Sequence, residues 1–167
     1  MKILGIESSC DDTSVAIVNS EKKILSNERV SQDNVHKFYN GVVPELAARN
    51  HAFYIDKITQ KALKNAKLTL NDIDGVAATA GPGLVGGLLV GLSFAKTIAQ
   101  VKQIPFIAVN HLAGHALTVR LTDNIEFPYL LLLISGGHSS FYYMRSIKNC
   151  IYLGGTLDDA VGEAFDK

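Results

Sequence analysis

The chain opens with three strand-like hydrophobic runs, Lys2 to Glu7, Thr13 to Val18 and Ile24 to Val30. The polar turns Ser8-Ser9-Cys10-Asp11-Asp12 and Asn19-Ser20-Glu21-Lys22-Lys23 join them. Polar links this short favour antiparallel hairpins. From Pro44 to about Lys67 the period changes. Leu46, Ala47, Ile55, Ile58, Ala62, Leu63 and Ala66 recur near helical spacing and Pro44 suits a first-turn position, which predicts a long amphipathic helix. Gly75 to Ala80 reads as a buried strand and Gly81-Pro82-Gly83 as a loop. Leu84 to about Val101 reads as an apolar helix whose Gly and Ala content suits close packing on a sheet. Phe106 to Val109 predicts a short buried strand and His111 to Arg120 a helix. Tyr129 to Ile134 is a continuous apolar strand, Ser135-Gly136-Gly137 a tight turn, His138 to Met144 another strand, and Leu157 to Lys167 the start of a helix. Antiparallel strands followed by alternating helices and strands describe an α/β fold, a mixed sheet with helices on both faces.

Length and composition narrow the class. The 167 residues, 47% hydrophobic and 19% charged, suit one soluble globular domain with a single packed core. Sixteen basic residues against sixteen acidic ones leave no net charge, so any contact with a nucleic acid must come from a local patch or a partner. Cys10 and Cys150 stand far apart, without the paired spacings of a small disulfide scaffold, which predicts reduced thiols. The run beginning at Met1 already reads as a strand, leaving no room for a targeting leader, and the longest apolar stretches are glycine-broken and too short to span a bilayer. The expectation is a cytoplasmic protein with no membrane association.

Three features carry candidate chemistry. His111 and His115 are four residues apart, so on a helix both imidazoles project from one face and can chelate a single ion; a capping histidine and a surface histidine would leave the same pattern. A zinc-peptidase helix needs a glutamate directly after its first histidine, and Leu112 stands there, which excludes a protease of that type. The Ser135-Gly136-Gly137 turn brings backbone N–H groups within reach of an anionic oxygen, as many two-glycine turns do that bind no phosphate. The loop from Glu7 to Asp12 is rich in hydroxyls and carboxylates; an ordinary polar hairpin turn would be equally so. Lys57, Lys61, Lys64 and Lys67 make a basic stripe on the long helix, a solvated face before it is a contact surface. Asp158, Asp159 and Glu163 read as a solvated acidic first turn.

Six blocks of the chain resemble one family throughout its length: Gly5-Ile6-Glu7-Ser8-Ser9-Cys10-Asp11, Gly41-Val42-Val43-Pro44-Glu45-Leu46-Ala47, Ala80-Gly81-Pro82-Gly83-Leu84, Asn110-His111-Leu112-Ala113-Gly114-His115, Ser135-Gly136-Gly137-His138, and Asp158 to Lys167. Together they look like the bacterial-type tRNA threonylcarbamoyladenosine synthesis transferases, the TsaD family, formerly named sialoglycoprotein endopeptidases. Asp12, where Glu is common, and Asn40, where a second Gly is common, are mild departures.

The resemblance implies an actin-like ATPase fold, ribonuclease-H-like in its first half, with residues 1–167 forming the amino-terminal of two lobes and the second lobe absent. It implies transfer of a threonylcarbamoyl group from threonylcarbamoyl-AMP to the exocyclic amine of the adenosine 3′ to the anticodon, in tRNAs reading codons that begin with A. It makes His111 and His115 ligands of one iron(II) or zinc ion per subunit, incompletely ligated because a third ligand, an aspartate, belongs to the second lobe. Leu133, Ile134, Ser135, Gly136, Gly137 and Asp166 become the adenylate site, Asp166 as acceptor for ribose hydroxyls, while no catalytic residue is assigned and the role of His138 stays open. The implied partners are tRNA, a TsaB-like paralogue and a TsaE-like ATPase, with self-association as a further expectation. The isolated chain is expected to be inactive. The alternative is a non-catalytic scaffold or partner subunit like TsaB, or a decayed fragment; the TsaB-like paralogue lacks the histidine pair, which is intact here.

Overall fold

The structure, a computed structural model, describes residues 1–134 and 139–166, without the side chains of Glu163 and Asp166. Length pointed to one domain, whereas the chain divides into two compact units, Met1–His111 and Leu112–Lys167.

The first unit is built on a five-stranded sheet in the order β3-β2-β1-β4-β5. β1 (Lys2–Glu7), β2 (Thr13–Asn19) and β3 (Ile24–Val30) form the expected antiparallel meander, while β4 (Gly75–Gly81) and β5 (Phe106–Asn110) add in parallel through helical crossovers. The turn after β2 closes on Asn19, whose Oδ1 accepts the N–H groups of Glu21 and Lys23 at 3.0 and 2.9 Å. A four-residue helix α1 (Asp33–His36) and a 3-10 turn precede α2 (Pro44–Ala66). Proline opens α2, where its missing N–H costs nothing, and Lys67 ends it in the left-handed conformation with its N–H bonded to the Lys64 carbonyl at 3.0 Å. α3 (Val85–Lys102) links β4 to β5.

Strand alternation decides which face is core. Leu4 and Ile6 of β1, Val15 and Ile17 of β2, and Val76 and Ala78 of β4 share one face, where they pack with Ile55, Ile58 and Ala62 of α2 and with Ala95 and Ala99 of α3. Both long helices of this unit therefore cover the same face, where the pattern predicted helices on both. The opposite face carries small side chains, Gly5, Ala16 and Ala77, with Ile107 more than half exposed beside them.

In the second unit, α4 (His111–Thr122, opening on the last residue of the first unit) is followed by an antiparallel sheet β6-β7-β8: β6 (Tyr129–Ile134), β7 (Ser139–Ser146) and β8 (Asn149–Gly155). Leu133 and Met144 are buried, and Leu130, Leu132 and Ile134 alternate with them as exposed apolar positions. β8 was not anticipated: Cys150-Ile151-Tyr152-Leu153 is a short apolar run that becomes a strand because β7 offers it a ladder. α5 (Val161–Asp166) starts later than Leu157, which is fully exposed, because the Thr156 hydroxyl donates to the Asp159 carbonyl at 2.6 Å and closes a turn first. Among the described residues no helix is long and apolar enough to cross a membrane.

The glycines of α3 let the first loop lie directly on the helix. A Cβ on Gly87 would stand 2.4 Å from the Ser8 carbonyl oxygen, and one on Gly91 would stand 2.2 Å from the Ser8 hydroxyl. Gly87→Ala gains about 1 kcal/mol of helix propensity but must push backbone against backbone, an overpacking cost of about 1–3 kcal/mol. Chemical denaturation is expected to register a net loss of stability for Gly87→Ala; an unchanged or raised midpoint would contradict the packing described.

Candidate functional site

The loop between β1 and β2, residues 8–12, is fastened from three directions. Ser8 donates its hydroxyl to the Gly87 carbonyl of α3 at 2.9 Å, and the Leu84 N–H donates to the Ser9 carbonyl at 2.6 Å. From α2, the fully buried His51 reaches Cys10 and Thr13. Its Nε2 lies 3.0 Å from the Cys10 carbonyl, which can only accept, so Nε2 carries the proton and Nδ1 accepts the Thr13 hydroxyl at 2.8 Å. Sequence reading passed over His51. Its signal was its place in the buried series Ala47, His51, Ile55, Ile58 and Ala62, which marks it as a core position.

At the end of β1 the Glu7 carboxylate gathers groups from three segments. Oε1 accepts the Ser9 N–H at 2.6 Å, while Oε2 accepts the Thr79 hydroxyl of β4 at 2.5 Å and lies 3.1 Å from Nδ1 of His111. Ser9 Oγ is also 3.1 Å from that nitrogen. Burial alone would push the Glu7 carboxyl upward, but the hydrogen bonds from Ser9, Thr79 and His111 outweigh it and hold the group below its ordinary value. An open groove of about 220 Å³ runs from this carboxylate along the uncovered sheet face, between Gly5, Ser14, Ala16, Ala77, Thr79 and Val109.

The rest of the loop is acidic. Asp12 meets Arg29 at 3.1 Å, yet burial raises its pKa against that attraction. Cys10 keeps part of its surface exposed, but burial first, and then the hydrogen bond and charge of Asp11, push its thiol up to about 11.

Of the expected ligands, His111 is the first residue of α4, held by Glu7 and Ser9, and His115 follows within the same helix one turn later. Among the described residues no group of three or more His, Cys, Asp or Glu side chains is placed to hold a metal ion. The donor chemistry still fits: two imidazoles suit iron(II) or zinc, and the first is oriented through Nδ1 by a carboxylate, as metal-ligating histidines commonly are. Of the adenylate set, Leu133 is buried and Ile134 half exposed at the end of β6. Ser135, Gly136 and Gly137, with His138, lie outside the described residues, as does the side chain of Asp166, the last residue of α5. The lysine stripe is a solvated face: Lys61 pairs with Glu28 at 2.8 Å and Lys57 sits 3.3 Å over the Phe53 ring.

The family model described as TsaD, tRNA N6-adenosine threonylcarbamoyltransferase, matches residues 23–167. The chain belongs to this family. Curated relatives of that name include one from Rickettsia bellii (strain OSU 85-389), 57% identical over 99% of this chain and 49% of its own length. Another, from Rickettsia rickettsii (strain Sheila Smith), is 55% identical over 100% of this chain and 48% of its own. The chain thus spans about half the length of the curated relatives it matches. Among solved structures, YeaZ from Pseudomonas aeruginosa superposes with a TM-score of 0.60 at 17% identity, over 92% of this chain and 66% of that one. The shared fold is that of the actin-like ATPases, as the family resemblance implied.

The Cys10 environment makes a direct prediction. Raising the thiol from 9.0 to about 11 leaves about a hundredfold less thiolate at neutral pH. In a Cys150→Ser background, Cys10 is expected to react with a disulfide reagent at pH 7.5 much more slowly than a cysteine in an unfolded peptide. Asp11→Asn should accelerate it. Equal rates for folded chain and peptide would contradict this.

Proposed function

We propose that this chain is the metal- and adenylate-binding part of a transferase that moves a threonylcarbamoyl group from threonylcarbamoyl-AMP to the exocyclic amine of the adenosine 3′ to the anticodon, in tRNAs reading codons that begin with A. The observation that carries the reading is His111, oriented by Glu7 and Ser9 at the start of α4 with His115 one turn on, in a chain of this family.

In the transfer, a bond forms between the adenosine nitrogen and the carbamoyl carbon, the bond to the phosphate oxygen breaks, and AMP leaves. An exocyclic amine is a weak nucleophile, so the rate rests on holding it against the activated carbonyl and on stabilising the oxyanion that develops. His111 and His115 would hold the iron(II) or zinc ion, which supplies Lewis acidity toward the substrate's oxygens. Leu133, Ile134 and the Ser135-Gly136-Gly137 turn would receive the adenylate, and Asp166 its ribose hydroxyls. The zero net charge supports a division of labour in which tRNA is gripped with the help of partners, a TsaB-like paralogue and a TsaE-like ATPase. The exposed row Leu130, Leu132 and Ile134 suits an apolar contact with such a partner, a second lobe or a second copy. The place of work is the cytoplasm, where tRNA is modified.

A scaffold role, like that of a TsaB-type subunit, is the second reading, and the fold that the chain shares with YeaZ is compatible with it. A chimera separates the two: this chain replaces the matching half of the Rickettsia bellii relative, and transfer to unmodified tRNA is measured. Activity is expected in the chimera, with a loss of at least about a hundredfold on His111→Ala plus His115→Ala and none detectable in the 167-residue chain alone. A folded, inactive chimera would favour the scaffold. In parallel, the chain alone should take up zinc weakly in a titration, and the double alanine variant should not.

A further inference from the structure

We propose that Glu7 is the positioning residue of the metal site: its carboxylate fixes the proton of His111 on Nδ1 and so presents Nε2 as the nitrogen that ligates. The proposal rests on the reading of His111 as a ligand. Its support is a question of which atom can donate. Nδ1 of His111 lies 3.1 Å from Glu7 Oε2 and 3.1 Å from Ser9 Oγ. These two neighbours make opposite demands. A serine hydroxyl can donate to a bare Nδ1, which would put the ring proton on Nε2, the nitrogen a metal needs unprotonated. A carboxylate accepts only, and facing it with a bare Nδ1 would set lone pair against lone pair.

Glu7 wins because its own position is not adjustable. The Ser9 N–H holds Oε1 at 2.6 Å and the Thr79 hydroxyl holds Oε2 at 2.5 Å, so the carboxylate is pinned from β4 and from the first loop while it faces the imidazole. The ring N–H therefore points at Glu7, and Ser9 Oγ takes a secondary share of it. Carboxylate-to-histidine support of this kind fixes ring orientation and makes the other nitrogen a better ligand, and its loss typically weakens metal binding about 10- to 100-fold. Sequence alone hid the arrangement because Glu7 and His111 are 104 positions apart.

The decisive measurement uses the unaltered chain. With ¹⁵N-labelled histidine and no metal at neutral pH, long-range ¹H–¹⁵N correlation is expected to place the His111 proton on Nδ1, the resonance being assigned with His111→Gln. Glu7→Gln keeps the shape of the side chain, but its amide can turn to donate, so the proton is expected to move toward Nε2 and zinc affinity to fall about 10- to 100-fold. A proton on Nε2 in the unaltered chain would overturn the proposal, as would a folded Glu7→Gln chain with unchanged tautomer and affinity. If His111→Gln leaves zinc uptake intact, the metal reading itself fails and takes the ligand role with it. If His111→Gln abolishes uptake while the unaltered chain carries its proton on Nε2, the positioning role alone fails.

Discussion

The Glu7 carboxylate, at the end of the first strand, is the point where the first unit is tied together. It collects a backbone N–H from its own loop, a hydroxyl from β4 and the imidazole that opens α4. An ionised carboxylate that is partly buried is costly unless its lone pairs are used, and the three donors satisfy that requirement while fixing where each donor sits. The sheet order makes this possible: β4 lies beside β1 in parallel, so Thr79 arrives next to Glu7, and β5 delivers His111 from the neighbouring strand.

Close packing is the second condition. The first loop can lie against α3 only because Gly87 and Gly91 present no Cβ to Ser8. His51, buried in α2, then satisfies the Cys10 carbonyl and the Thr13 hydroxyl, so the loop's polar groups do not enter the interior unpaired. Conformational freedom at the loop is therefore low.

The same architecture leaves apolar surface on the sheets. The row Leu130, Leu132 and Ile134 of the three-stranded sheet is exposed, and the small-residue face of the five-stranded one is half-buried beside an exposed Ile107, in a chain that covers about half the length of its relatives. Alternating strands always produce a second face.

Periodicity is a local property, and what it governs was legible: β1 and β3 to the residue, α2 from its proline to its left-handed end, and the one-turn spacing of His111 and His115. The six sequence blocks likewise identified the family. Other features depended on who would be nearby. Cys150 to Leu153 becomes strand through β7, and the late start of α5 follows from the bond between Thr156 and Asp159. Glu7 and Ser9 read as members of a polar turn, Thr79 as a strand residue and His51 as one more position in a helix, because nothing within a few residues of any of them tells its role. Those roles arise from contacts spanning 38 to 104 positions, which strand register and helical crossovers bring together. A donor or acceptor acquires a function only when the fold decides what it faces.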